Sequence, residues 1–385
     1  MNNLQAIFEN IILFCALILC FSISVATLDA QSSGPVVTLQ LNPGDNNPRN
    51  SEGDFVTLKD GSILFIYSHF VGDAPSDFGN SHLASRRSYD NGNTWTDLDE
   101  IVVENEGAMN VMSVCLLRLQ NGQIALFYAR KNSIHDCIPY MRISEDEGLT
   151  WSDPVKCITD RPGYFVLNNS RVIQLENGRL LMPVALHESE EVKGGALELQ
   201  FNNYGKLFCY YSDNNGLTWK RKGRIDVPQG VMAQEPGLIE LKDGRVMMYI
   251  RTNSGVQYAS YSKNKGKKWS EAIPTNIPSP LSPATIVRIP ATQDLLLVWN
   301  NNGVKKSAYG GKRTPLNLAV SKDEGTTWDL IKTIHSDPDG WYCYTAVHLL
   351  NDKEFLLSYC AGNRPAGTGL SITNITKVNL DWVYK

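Results

Sequence analysis

The stretch SYDNGNTW at residues 88–95 predicts the fold of this chain, because it recurs along the sequence. Close copies are SEDEGLTW (144–151) and SKDEGTTW (321–328), and looser copies are SDNNGLTW (212–219) and SKNKGKKW (262–269). In each copy an Asp or Asn side chain can bind nearby backbone, a Gly can take a positive φ, and the Trp can pack beneath the turn. We interpret the repeat as a hairpin turn used five times, a folding device and not a catalytic site.

A second repeat consists of a strand, a turn and another strand. Four of its turns carry Asp-Gly or Asn-Gly, and the flanking runs are rich in β-branched and aromatic residues, which is typical of β-hairpins. It occurs six times, at residues 55–68, 116–130, 172–185, 238–251, 286–300 and 347–360.

The Trp-containing repeats begin 50 to 68 residues apart, about the length of one four-stranded blade. The two repeats together predict an all-β chain folded as a six-bladed β-propeller, with any functional site at the central axis. A β-sandwich with extra hairpins is the alternative, but it explains neither the regular spacing nor the recurrent Trp.

The N-terminal region differs from the rest, because residues 11–28 are apolar apart from Ser and Thr. This pattern predicts a signal peptide over residues 1–30, followed by one domain over 31–385, and hence a secreted, periplasmic or extracellular protein. The first ten residues contain no Lys or Arg, so an uncleaved membrane anchor is the alternative. A membrane is expected as a partner only in that case.

The composition excludes some classes of function. With 36 basic and 40 acidic residues the net charge is −4, which argues against binding to nucleic acid. Six cysteines follow residue 30, and either disulfides or buried thiols are consistent with this number. No Cys/His spacing typical of a metal site occurs, so we expect no metal and no organic cofactor.

Polar residues in the segments that link or end the hairpins complete the pattern. Together with the Trp-containing repeats, they make the chain similar to the sialidase (neuraminidase) family, in which such repeats are called Asp-boxes or BNR repeats. The resemblance runs from about residue 40 to about residue 380. It implies a retaining exo-α-sialidase that hydrolyses terminal sialic acid from glycoconjugates.

The resemblance also implies a site of six residues. Its catalytic members would be the acid/base Asp73, the base Glu235 and the nucleophile Tyr344, and its carboxylate clamp would be Arg49, Arg251 and Arg313. Guanidinium forks match the geometry of a carboxylate. A tyrosine nucleophile, for which sialidases are a recognised exception among glycosidases, avoids the repulsion that the substrate carboxylate would exert on an anionic Asp or Glu.

Several alternatives stay open at this point. Asp77 competes with Asp73, Tyr342 competes with Tyr344, and Arg171 is a further candidate for the pocket. The chain also departs from the family's usual Arg-Ile-Pro, since Asn50-Ser51-Glu52 follows the first arginine and adds an acidic residue near the anion site. The substrate could therefore be another 2-keto sugar acid, and a non-catalytic glycan-binding propeller is the remaining alternative.

Overall fold

The structure, a computed structural model, describes residues 34–189, 201–303 and 311–385. The predicted signal peptide over residues 1–30 lies outside these residues. Residues Gly34–Lys385 form one compact unit. Within the described ranges, no helix has the length and apolar character needed to cross a membrane.

The chain forms antiparallel strands in sequence order, beginning with β1 (Val36–Leu41). Sheet 1 follows as β2 (Asn50–Thr57), β3 (Ile63–Phe70), β4 (Ser81–Ser88) and β5 (Glu100–Val103). Sheet 2 comprises β6 (Asn110–Arg118), β7 (Ile124–Ser133), β8 (Asp136–Ser144) and β9 (Val155–Lys156). Sheet 3 comprises β10 (Tyr164–Val166), β11 (Ile173–Gln174), β12 (Leu180–His187), β13 (Lys206–Ser212) and β14 (Lys220–Ile225), and it joins sheet 2 through a short parallel pairing of β10 with β8.

The second half repeats this order. Sheet 4 comprises β15 (Ala233–Glu240), β16 (Val246–Thr252), β17 (Val256–Ser262) and β18 (Ile273–Pro278). Sheet 5 comprises β19 (Thr285–Arg288), β20 (Leu295–Trp299), β21 (Leu316–Ser321) and β22 (Asp329–His335). Sheet 6 comprises β23 (Gly340–Leu349), β24 (Glu354–Asn363) and β25 (Thr373–Asn379), with β1 as its fourth strand. A short helix α1 (Leu380–Tyr384) follows.

Apolar side chains fill the spaces between neighbouring sheets. Separate buried clusters join sheets 1 and 2, 2 and 3, 3 and 4, 4 and 5, and 5 and 6. A further cluster joins sheet 6 back to sheet 1, where Leu356 and Ile375 pack with Phe55 and Phe65. Since burial of these faces is the main favourable contribution to folding, the ring of sheets is held together all round. The predictions of an all-β chain and a six-bladed arrangement are confirmed.

The five Trp-containing repeats lie between the last two strands of sheets 1 to 5. In the first, Asp90 Oδ1 accepts from the backbone N–H of Thr94 at 2.8 Å, and the N–H of Gly92 donates to Ser88 Oγ at 2.8 Å. The looser fourth copy keeps the same contacts through Asn264. These bonds are local to each turn, as expected of a folding device.

The six cysteines within the described residues are all buried free thiols. The sequence left disulfides and buried thiols as alternatives, and these six cysteines are buried thiols.

Candidate active site

The first strand of sheets 1, 2, 4 and 6, here called the inner strand, carries a β-bulge at an equivalent position in each sheet. The pairing register of β2, β6, β15 and β23 with the next strand shifts at this point in each sheet. The first of the two residues inside each bulge has a positive φ, which is uncommon for residues other than glycine. These residues are Glu52 (57°), Ser113 (64°), Glu235 (42°) and Tyr344 (55°).

All four bulge residues line one cavity of about 580 Å³, within the usual size of a small-molecule site. Positive φ in non-glycine residues costs free energy, and it occurs here in the outer turns as well as in these bulges. The bulges therefore direct one acidic, hydroxyl or phenolic side chain from each of four sheets towards a common space.

Glu235 and Tyr344 are in contact in this cavity. The Tyr344 hydroxyl donates to Glu235 Oε1 at 3.3 Å, and Arg251 Nη1 donates to Glu235 Oε2 at 2.5 Å. Burial and the nearby charge of Glu235 raise the pKa of Tyr344 well above its usual value, although Arg313 and Arg251 oppose this shift. Tyr344 is therefore a neutral phenol with a carboxylate in position to accept its proton.

Arg251 and Arg313 both line the cavity. Arg313 Nη1 donates to Cys343 Sγ at 3.0 Å, and its guanidinium carbon lies 4.8 Å from the ring centroid of Trp341. Burial by itself would raise the pKa of Cys343, but contacts with Cys360 and Arg313 lower it to about 7. Arg313 makes no ion pair with a carboxylate among the residues that the structure describes, so its charge is available to an anionic ligand.

Arg49 lies behind the cavity wall. It is not among the described residues that line the cavity, and its side chain is 1% exposed. Its N–H groups donate to Ser51 Oγ (2.9 Å), the Pro75 carbonyl (3.2 Å), Asp77 Oδ1 (2.6 Å) and Glu52 Oε1 (3.4 Å). The structure therefore brings Arg251 and Arg313 to the cavity, but not Arg49.

The two acid/base candidates differ in position. Asp73 is exposed and does not belong to the described residues that line the cavity, whereas Asp77 lines it with a half-exposed side chain. The loop after β3 thus places Asp77, and not Asp73, at the cavity, while the catalytic role expected for Asp73 stays a prediction. Partial loss of bulk solvent inside the cavity would by itself raise the pKa of Asp77, but the charges of Arg49 and Lys131 lower it to about 2.

The other two alternatives from the sequence lie elsewhere. Tyr342 stacks on His335 with ring centroids 4.7 Å apart and packs in the cluster between sheets 5 and 6. Arg171 is buried, and its Nη1 donates to the Tyr249 hydroxyl at 3.0 Å. Neither Tyr342 nor Arg171 is among the described residues lining the cavity.

Two further cations line the cavity and were not predicted from the sequence. Lys131 is buried, and its Nζ donates to the Asp77 carbonyl at 2.5 Å. The exposed Arg364 has its guanidinium carbon 4.6 Å from the ring centroid of Trp341. Lys131 directly follows the predicted hairpin 116–130, much as Arg251 ends the hairpin 238–251, and this was the available signal. The segment around Arg364 carries no comparable pattern.

The cavity thus combines four cations with three carboxylates, Glu52, Asp77 and Glu235. Within the described ranges, no group of His, Cys, Asp and Glu side chains is arranged to hold a metal ion. The arrangement can bind an anionic ligand, transfer protons through two carboxylates and present a phenol as nucleophile.

Comparison with known proteins gives consistent results. Residues 85–357 match the model of the BNR repeat-like domain. A sialidase of Clostridium perfringens is 28% identical over 264 residues, which is 60% of this chain and 64% of that protein. The chain thus spans less than two thirds of the length of this relative.

Solved structures share the fold. A Dyadobacter fermentans protein of unknown function superposes with a TM-score of 0.69 at 19% identity, over 90% of this chain and 99% of that one. The leech intramolecular trans-sialidase, solved with 2,7-anhydro-Neu5Ac, also has a TM-score of 0.69, at 15% identity over 91% of this chain and 71% of that one. At these identities the likeness concerns the fold alone.

Proposed function

Since this chain belongs to the sialidase family through its BNR repeat-like domain, we propose that it is a retaining exo-α-sialidase with Tyr344 as its nucleophile. Its substrate would be the terminal sialic acid of a glycan or glycoconjugate. The observation that supports this best is the chain of contacts from Tyr344 to Glu235 to Arg251 inside the cavity.

In the first step, the Glu235 carboxylate accepts the phenolic proton while the Tyr344 oxygen bonds to the anomeric carbon. The bond from that carbon to the aglycone oxygen breaks, and Asp77 protonates the departing oxygen. A neutral phenol, deprotonated only as it attacks, avoids the repulsion that the substrate carboxylate would exert on an anionic nucleophile.

In the second step, Asp77 accepts a proton from water, and the water oxygen displaces Tyr344 from the anomeric carbon. Glu235 returns its proton to the phenolic oxygen, so that the site is restored. Two successive inversions retain the configuration of the anomeric carbon.

Asp77 must carry a proton before the first step, although Arg49 and Lys131 favour its ionised form in the free site. The substrate carboxylate offsets these positive charges when it enters, and protonation of Asp77 becomes easier. Arg251 and Arg313 are the two arginines in position to hold that carboxylate.

The test is hydrolysis of a fluorogenic N-acetylneuraminic acid glycoside by the purified chain, beside Tyr344→Phe and the matched control Tyr342→Phe. We expect turnover by the parent chain and the control, with the loss confined to Tyr344→Phe. NMR of the first product should detect the α-anomer. Turnover that survives Tyr344→Phe would exclude this nucleophile, and a folded parent chain that is inactive would exclude N-acetylneuraminic acid glycosides as substrates.

A further inference from the structure

Glu52 has no place in the mechanism proposed above, yet it lies in the same cavity. It occupies the bulge of β2, lines the cavity wall and is 5% exposed. A carboxyl group held in a buried, strained position beside a site for an anion needs a physical explanation.

Glu52 and Asp77 bind the guanidinium group of Arg49, which an incoming carboxylate would otherwise reach. Four of the five N–H donors of Arg49 are used by protein acceptors, and two of these are the carboxylates that face the cavity. A ligand carboxylate near this wall would therefore meet Glu52 and Asp77 before it met Arg49.

The charge of Glu52 is weakly stabilised. Its contact with Arg49 is long, at 3.4 Å, and Ser113 Oγ donates to its Oε2 at 3.0 Å. The equivalent glutamate, Glu235, has Arg251 at 2.5 Å. Burial raises the pKa of Glu52 to about 7, with the Arg49 charge opposing the shift and Asp77 and Glu235 adding to it.

The groups around Glu52 come from several elements. They are Arg49 just before β2, Asp77 in the loop after β3, Ser113 on β6, Glu235 on β15, Tyr344 on β23 and Cys360 on β24. The charges named here that shift the pKa of Glu52 are the two carboxylates Asp77 and Glu235, which raise it, and Arg49, which lowers it, so an additional anion would favour a proton on Glu52.

We propose that Glu52 is a specificity-determining residue that couples binding of the anionic sugar to the uptake of one proton. This deepens, and rests on, the proposed sialidase function. With Glu52 ionised, repulsion opposes the sugar carboxylate. With Glu52 neutral, that repulsion disappears and the carboxyl can donate a hydrogen bond into the cavity.

The coupling predicts how the affinity for the anionic sugar changes with pH. Below pH 7 Glu52 is mostly protonated and adds no pH dependence to the affinity. Above pH 7 the affinity for the anion should fall about tenfold for each pH unit, since one proton must be taken up for each sugar bound. The Glu52→Gln variant carries a permanently neutral side chain of the same shape and should lack this fall in affinity above pH 7.

The experiment is isothermal titration calorimetry of the full chain with N-acetylneuraminic acid, which remains ionised from pH 5.5 to 8.5. Titrations in phosphate and in Tris, which differ in ionisation enthalpy, give the number of protons taken up. At pH 8 we expect the parent chain to take up close to one proton more than Glu52→Gln, and at pH 5.5 we expect equal uptake, because any proton taken up by Asp77 is common to both chains. At pH 8.5 the variant should bind at least about tenfold more tightly than the parent chain.

Asp54 provides a matched control, because burial also raises its pKa to about 7 while it lies two residues away and outside the set of described residues that line the cavity. Asp54→Asn should keep the proton uptake. Ser113→Ala, a second variant, removes a hydrogen bond that stabilises ionised Glu52 and should move the fall in affinity to higher pH. Thermal melting should verify that each variant is folded.

Proton uptake that is equal in the parent chain and in Glu52→Gln at pH 8 would overturn the inference and leave the sialidase proposal intact. Loss of kcat in Glu52→Gln with KM unchanged would also overturn it, by making Glu52 a proton donor. Proton-linked binding without cleavage would support the inference and exclude hydrolysis. Absence of binding at every pH would overturn the inference together with the substrate class.

Discussion

Glu52 and Glu235 occupy the same position in two different sheets, and the comparison separates backbone geometry from chemistry. Both lie inside the bulge of an inner strand with positive φ, 57° and 42°, and both line the same cavity. Glu235 contacts Arg251 and Tyr344, whereas Glu52 contacts Arg49 and Ser113. The same β-bulge geometry thus presents two carboxyl groups, and their roles depend on the residues that each one contacts.

The partners differ because of what the next strand carries. In sheet 4 the residue before the bulge, Gln234, pairs with Arg251, so a cation lies directly across the strand. In sheet 1 the corresponding pair is Ser51 with Ser68, which supplies no charge. Glu52 depends instead on Arg49, a more distant guanidinium that Asp77 also holds.

The largest expected difference between the two glutamates is in turnover. Glu235→Gln removes the base for Tyr344 and should lower kcat by about 10³-fold, whereas Glu52→Gln should leave kcat at low pH within about twofold. Steady-state kinetics on a fluorogenic sialoside at pH 5.5 would measure both. Equal losses of kcat in the two variants would show that Glu235 and Glu52 do not differ in their importance for turnover.

The second prediction concerns the carboxylates of the loop after β3. Asp77→Asn should lower kcat about 10²-fold on a sialylated oligosaccharide, and less on an aryl sialoside, whose phenolate leaves without protonation. Asp73→Asn is the matched control and should behave as the parent chain. A loss seen only with Asp73→Asn would restore the expectation from the sequence.

The third prediction compares an arginine in the cavity with one behind its wall. Arg313→Lys keeps the charge but loses the guanidinium fork, so KM for the sialoside should rise about tenfold. Arg49→Lys should change KM less and lower the melting temperature more, because it weakens buried contacts with Glu52 and Asp77. The reverse pattern would place Arg49 in the carboxylate clamp.

The fourth prediction concerns stability as a function of pH. Folding raises the pKa of Glu52 from 4.5 to about 7, so the folded chain holds this proton more tightly than the unfolded chain does. The resulting stability is fully present below pH 4.5 and is lost as the pH rises through 7. From pH 4 to 8 the melting temperature should therefore fall less steeply with pH for Glu52→Gln than for the parent chain. Identical slopes for the two chains would contradict this.

The smallest effect is expected at the outer turns. Among the residues that the structure describes, the Asp90 carboxylate binds only groups of its own repeat, and it does not line the cavity. Asp90→Ala should lower the melting temperature by a few degrees at most and leave kcat and KM unchanged. A change in KM would indicate that the outer turns influence the cavity.

Much of this arrangement could be predicted from local patterns. The Asp-Gly and Asn-Gly turns, the alternating strands and the Trp-containing repeats specify hairpins through contacts between residues close in sequence. The order of six hairpins, and with it six sheets, follows from their number and spacing. Glu235, Tyr344, Arg251 and Arg313 were predicted from the family resemblance, and the structure brings these four to one cavity.

The rest depended on contacts between distant parts of the chain. Asp73 and Asp77 lie in the same short loop, and local sequence does not determine which of them faces the axis. The position of Arg49 behind Glu52 and Asp77 is likewise a result of packing between segments that are adjacent only in the folded chain.

The sequence by itself therefore determined the strands, the turns, the number of sheets and four residues of the candidate site, because each of these follows from short-range pattern or from family resemblance. Only the tertiary structure decided which carboxylate enters the cavity, which arginines remain available, and that Glu52 is buried beside them. Burial and the distance between charges set the protonation of such groups, and both quantities exist only once the six sheets have closed into a ring.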